Sequence, residues 1–178
     1  MLTKPIGTGT LFAANARLAA RGRWIQAALQ SMVVSNQRGA QILRAFGATA
    51  CTDLTGFGLL GHLVEMTRPS GVDAQIDMMA LPLLDGALEC VAAGILSSLQ
   101  ASNVRLRRAL RNQEQFVEHP RYALLFDPQT AGGLLASVPA EQVQECVGSL
   151  RAAGYPSACV IGHVLPQGDA LAPIELLG

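Results

Sequence analysis

Residues 51–63 read Cys51-Thr52-Asp53-Leu54-Thr55-Gly56-Phe57-Gly58-Leu59-Leu60-Gly61-His62-Leu63, an order that predicts a strand turning into a helix. β-formers dominate from Ala48 to Leu54, glycine and threonine loosen the chain from Thr55 to Gly58, and apolar residues at helical spacing follow from Leu59 to Thr67. Pro69 and Gly71 supply the stop. Asp53 therefore stands where the strand gives way to the turn.

Before this motif, Leu2-Thr-Lys-Pro-Ile-Gly-Thr-Gly-Thr-Leu-Phe12 mixes β-formers with Gly and Pro, the composition of an edge strand. Two amphipathic helices are expected next, one over Arg23 to Met32 and one capped by Ser35 and closed by Gly47. Beyond the motif, Val72, Ala74, Ile76 and Met78 alternate with Asp73, Gln75 and Asp77, a strand with one buried face. A helix is expected from Pro82 to Ala93, then a loop over residues 95–120 with an exposed helical stretch near Asn103 to Gln113. Tyr122 to Phe126 and Gly133 to Val138 read as strands around Asp127-Pro-Gln-Thr-Ala-Gly-Gly133, a loop sequence. Glu141 to Ala153 reads as a helix and Ser157 to Leu165 as a strand, which together with Gly133 to Val138 suggests a crossover unit. The whole predicts an α+β fold, a mixed β-sheet with flanking helices around one core, in a single domain over residues 1–178.

Bulk composition narrows the function classes. Half of the 178 residues are apolar and 15% are charged, enough for a well-packed domain. The 13 basic and 13 acidic residues cancel, so no overall field favours nucleic acid or an anionic membrane. No apolar run reaches the roughly 20 residues of a membrane helix, and a cytoplasmic location is expected. Cys51, Cys90, Cys146 and Cys159 form no close pair, which argues for reduced, buried thiols over zinc or redox chemistry.

Gly56-Phe-Gly-Leu-Leu-Gly61 satisfies the three-glycine dinucleotide pattern, and Asp77 could meet a ribose, so a dinucleotide-dependent oxidoreductase is one reading. Against it, an Asp53 carboxylate at the mouth of the turn repels a bare pyrophosphate. A magnesium ion reverses that sign, because it joins a protein carboxylate to phosphate oxygens. Thr52 and Thr55 offer hydroxyls, and Gly56 and Gly58 offer close backbone, to such a magnesium-ATP ligand. The plainer alternative makes Asp53 a cap for the amides of Thr55 or Gly56. A stand-alone module that binds a nucleotide or partner without catalysis is a third reading.

The run Cys51 to Leu63 resembles the Thr-Asp-Val-Thr-Gly-Phe-Gly-Leu-Leu-Gly-His signature of selenophosphate synthetases (selenide, water dikinases), with Leu54 as the one exchange. Thr3-Lys-Pro-Ile-Gly-Thr-Gly9 is similar to that family's entry into its second domain, and Leu81-Pro-Leu-Leu-Asp-Gly-Ala87 to a middle segment. Phe126-Asp-Pro-Gln-Thr-Ala-Gly-Gly-Leu-Leu135 resembles its second hallmark, with Ala131 for serine. The resemblance implies the carboxy-terminal domain fold of the aminoimidazole ribonucleotide synthetase superfamily. It also implies Asp53 as a magnesium ligand, with Mg2+ and ATP as cofactors and selenide as co-substrate. The implied reaction gives selenophosphate, AMP and phosphate in a homodimeric enzyme. The family's glycine-rich ATP segment, its Cys or selenocysteine with a nearby lysine, and its further aspartates belong to an amino-terminal domain and have no counterpart here. The isolated chain is therefore expected to be inactive, with no catalytic residue of its own.

Other residues are candidates with plainer readings beside them. Lys4, the sole lysine, is either a phosphate contact or an exposed strand residue discouraging edge pairing. Asp127 and Thr130 are candidate cleft residues in the second hallmark, although Asp127 also suits a turn-former. His62 and Glu65, three apart, suit a helix pair better than a two-ligand metal site. Cys51 is expected to be an inert thiol on a buried strand.

Overall fold

A computed structural model describes residues 1–178. The chain opens with helices α1 (Thr8–Ala16), α2 (Gly22–Val33) and α3 (Asn36–Ala45), followed by strand β1 (Ala50–Asp53) and helix α4 (Gly58–Ser70). Strand β2 (Val72–Asp77) and the short helices α5 (Ala87–Ala92), α6 (Gln100–Asn103) and α7 (Gln113–Phe116) come next. Strand β3 (Leu134–Ser137), helix α8 (Val143–Ala152) and strands β4 (Gly162–Pro166) and β5 (Ile174–Leu177) complete the fold. Short 3-10 helices occupy Val104–Ala109 and Tyr122–Phe126.

The α+β class holds, with the strands divided between two small sheets. β1 and β3 pair antiparallel, placing Asp53 opposite Leu134. β2 is the centre of the other sheet, antiparallel to β4 and parallel to β5. Since β3 and β4 lie in different sheets, the expected crossover around α8 does not form. The helix and both strands exist, but α8 packs with α3 over the Leu134 side of β3.

Local signals account for the helix ends. Ser35 Oγ accepts from Gln37 N at the start of α3, the expected cap. Gly71 ends α4 in the left-handed region, with φ 59°. The helix runs through Pro69, because a single missing amide in the last turn costs it little beside that cap.

Several expectations fail for tertiary reasons. The opening segment is no edge strand. Leu2 makes only isolated bridges, to Leu135 and Cys159, and the chain turns into α1 because Gln129 and Asp127 bind its first amides. The helix expected from Pro82 begins only at Ala87, since Leu81 to Gly86 cross the α1 entry, where Ile6 N donates to Pro82 O and Leu84 N donates to Ile6 O. Tyr122 to Phe126 form a 3-10 turn instead of a strand, buried against α4 with no strand beside them to pair. Asp73 is buried rather than solvent-facing. Arg111 and the Gly168 amide bind its carboxylate, and the amide first, then the guanidinium, hold its pKa below the ordinary value. Cys51 is exposed, because β1 packs on one face only.

Buried side chains gather in three groups. The largest joins β2, β5, α4 and the Leu124–Phe126 turn. A second lies between α3, α8 and β3, and a third unites α1, α2 and the Leu84–Cys90 segment around Trp24. In the third, a Cβ on Gly86 would stand 2.1 Å from the Trp24 ring at a φ of +86°, so both space and backbone demand glycine. Gly86→Ala should therefore lower stability by about 3 kcal/mol, lowering Tm by roughly 6–12 °C in a thermal melt.

Candidate functional site

The strand-to-helix turn is held from three sides. Leu54 N donates to Gly133 O at 2.8 Å, and Gln129 N donates to Thr55 O at 2.9 Å. Asn103 Nδ2 donates to both Gly56 O, 2.7 Å, and Phe126 O, 3.0 Å, tying the turn to the chain ahead of the second hallmark. The segments 51–58 and 126–133, far apart in sequence, are thus one structural unit.

His62 anchors the turn from below. Its Nε2 lies 3.0 Å from Thr55 N and 3.0 Å from Thr55 Oγ1. A backbone amide only donates, so Nε2 bears the lone pair and the neutral ring carries its proton on Nδ1. Nδ1 is 3.3 Å from Glu65 Oε2, but not aligned for a hydrogen bond. The His62–Glu65 pair is a helix-surface contact, and the buried imidazole is a support for the loop.

Asp53 is left open by this arrangement. It is exposed on the outer face of β1. The amide it would cap as a turn-former, that of Thr55, goes to His62 instead. Its carboxylate has no protein donor, so the capping alternative fails. Thr52 is half-buried beside it, with Oγ1 3.4 Å from Asp53 O. Thr55 spends its hydroxyl on His62. No three His, Cys, Asp or Glu side chains converge anywhere as a metal cluster.

The glycines of the three-glycine pattern have other work. Cβ atoms on Gly58 and Gly61 would meet Phe126 C at 2.9 Å and Phe57 Cβ at 2.6 Å, whereas Gly56 faces open space. β1 and β2 lie in separate sheets, so the parallel βαβ unit of a dinucleotide fold is missing. Asp77 caps its own turn through Met79 N and Ala80 N. The oxidoreductase reading has no structural context.

The second hallmark turns inward. Asp127 is fully buried, accepting from Thr10 Oγ1 at 2.8 Å, Gly9 N at 3.1 Å and Gln129 Nε2 at 3.0 Å. Gln129 Oε1 accepts from Gly7 N, Thr8 N and Thr8 Oγ1. Together they cap α1, whose start offers unpaired amides. Burial, outweighing the hydrogen bonds from Thr10, Gln129 and Gly9, pushes the Asp127 carboxyl up to about 6. Thr130 is exposed, its amide bound to Thr8 Oγ1. Ala131 adopts φ 48°, an uncommon angle for a residue with a Cβ.

Lys4 is buried, not an exposed strand residue. Its Nζ donates to Val34 O at 2.6 Å and Ala131 O at 3.1 Å, and desolvation lowers its pKa. It borders a cavity that none of residues 51–58 lines. Sequence reading missed Asn103 and Gln129. Gln129 sits inside a quoted motif and could have been found there, but nothing in the polar stretch around Asn103 marks it.

Two outcomes test this geometry. His62→Leu should expose the Thr55 amide to fast hydrogen exchange and cost about 1–3 kcal/mol, whereas His62→Gln, which keeps an acceptor, should retain most of the protection. For Asp127, a folded pKa near 6 lies above the unfolded value of about 4. The folded state therefore holds the extra proton, and the stability it contributes is present below about pH 4 and lost as pH rises through about 6. In urea titrations, wild type should lose about 2–3 kcal/mol relative to Asp127→Asn between those limits.

Comparison with known proteins agrees with the fold. The family described as AIR synthase related protein, C-terminal domain, matches residues 1–171. The selenide, water dikinase of Clostridioides difficile is 33% identical over 95% of this chain and 49% of its own length. That of Agathobacter rectalis is 37% identical over 90% of this chain and 46% of its own length. The chain thus spans about half the length of the curated relatives it matches. Among solved structures, the hydrogenase maturation protein HypE superposes with a TM-score of 0.66 at 18% identity, covering 97% of this chain and 47% of HypE. A HypE structure in complex with ATP gives 0.66 at 17% identity, covering 98% and 46%. No helix here is long and apolar enough to cross a membrane. By its sequence match and its fold, the chain belongs to the AIR synthase related family as a C-terminal domain.

Proposed function

We propose that this chain is the carboxy-terminal half of a selenide, water dikinase, and that Asp53 is its ligand to the magnesium of magnesium-ATP. The observation that carries the reading is the Asp53 carboxylate itself, exposed, free of protein donors, and mounted on a turn locked by His62, Asn103 and Gln129. A carboxylate without a structural partner on an otherwise fastened turn is preorganised for a ligand from outside.

The donor set fits magnesium in part. Magnesium takes one or two carboxylates with phosphate oxygens and waters, not an all-protein cage. With no metal cluster within the chain, Asp53 supplies one ligand, and an amino-terminal half supplies the remaining carboxylates and the nucleophile. The half-buried Thr52 and the open backbone at Gly56 border the phosphates. When bound, the cation neutralises charge on the transferring phosphoryl group. The chain's own residues bind and orient: Asp53 holds the cation side, and His62 and Asn103 keep the turn from yielding. The ATP complex of HypE, a protein of the same fold, supports a nucleotide in this architecture. The intact enzyme is read as a homodimer in the cytoplasm, converting ATP, selenide and water to selenophosphate, AMP and phosphate.

The test is Asp53→Asn in the intact enzyme, with selenophosphate followed by phosphorus NMR. The rate should fall by about 100-fold or more, with Tm unchanged because no protein donor is orphaned. The 178-residue chain alone should form none. Undiminished turnover by the variant, or turnover by the chain alone, overturns the reading.

A further inference from the structure

The sole lysine of the chain is buried, at 4% exposure, beside a cavity of about 400 Å³ between α2, the Leu83–Asp85 segment and the Gly154–Ser157 turn. A buried ammonium normally meets a carboxylate, since an uncompensated charge away from water is costly. Lys4 meets none. Arg111–Asp73 is the only pair of charged side chains in contact, the His62–Glu65 approach involving a neutral ring. Two of its three N–H donors go to backbone carbonyls, of Val34 at the carboxy-terminal end of α2 and of Ala131. Those carbonyls orient the ammonium, and the α2 dipole favours its charge, but the third donor has no protein acceptor.

The surroundings suit a polar ligand. Ser31 and Ser157, both half-buried, add hydroxyls to the lining, and Tyr155 gives an apolar ring whose hydroxyl is already engaged by Ser35 O and Gly39 N. Asp85 stands exposed at the rim, where its negative charge is solvated and can accept from a hydroxyl or amine. The volume lies within the range of small-molecule pockets, about 300–1,000 Å³.

The geometry points to a binding site in this cavity for a small polar metabolite carrying an oxyanion, phosphate or carboxylate, with the oxyanion on the free donor of Lys4. The site is separate from the Asp53 turn, and it stands whether or not the dikinase reading does. It is linked to that turn by the Lys4–Ala131 hydrogen bond and by the packing of Lys4 N on Gly133, whose carbonyl holds Leu54.

A single lysine makes the test direct. Chain labelled with 13C at lysine Cε gives one side-chain signal, read without any substitution. Titration with inorganic phosphate, and separately with citrate, each against sodium chloride at matched ionic strength, should move that signal saturably for at least one anion. The half-point should lie below about 10 mM, and whichever anion saturates identifies the ligand's oxyanion. Ala27→Trp, which fills the cavity from α2, should abolish the shift, and Asp53→Asn should leave it unchanged. A signal that does not move, or that drifts linearly with both anions, overturns the proposal. So does a saturable shift that survives Ala27→Trp in the folded variant, or one lost in Asp53→Asn, which would assign the anion to the Asp53 turn.

Discussion

The backbone contact between Leu54 and the glycine pair Gly132-Gly133 is the constraint on which the rest of this molecule is built. Leu54 donates to Gly133 O. A Cβ on Gly132 would lie 2.5 Å from Leu54 O, and one on Gly133 2.6 Å from Lys4 N. Two side-chain-free residues let three chain segments meet where no other residue would fit. From that point β1 and β3 pair outward, the amino-terminal segment lies alongside, and α4 leaves on the far side.

Polar side chains from distant segments then finish what the glycines allow. Asn103, Gln129, Asp127 and His62 each satisfy backbone groups that no helix or strand ladder would reach, and each is buried. Placing polar groups in a core is costly unless hydrogen bonds compensate their burial. Here those bonds hold a rigid platform and leave one carboxylate unspent. The Asp127 and Gln129 caps show how thoroughly the second hallmark is committed to support, since its loop carries α1 while its backbone carries the Asp53 turn.

A division of labour follows. Lys4 and Asp53 are charges in opposite situations, one buried against carbonyls and one exposed without donors. The first has a cavity beside it, the second open solvent.

Much was legible from the sequence by itself. Local rules located α2, α3, α4, α8 and β1 to β3, because caps, breakers and apolar spacing act within a few residues. The Asp53 motif declared its strand-to-turn geometry for the same reason. Tertiary structure alone decided that the opening segment becomes α1, because its cap comes from Asp127 and Gln129, more than a hundred residues away. It alone separated the strands into two sheets, buried Asp73 with Arg111, exposed Cys51, and turned Lys4 inward. It also closed the capping role to Asp53, since the Thr55 amide could go to that carboxylate or to His62, and only the packing of α4 beneath the turn sends it to the imidazole.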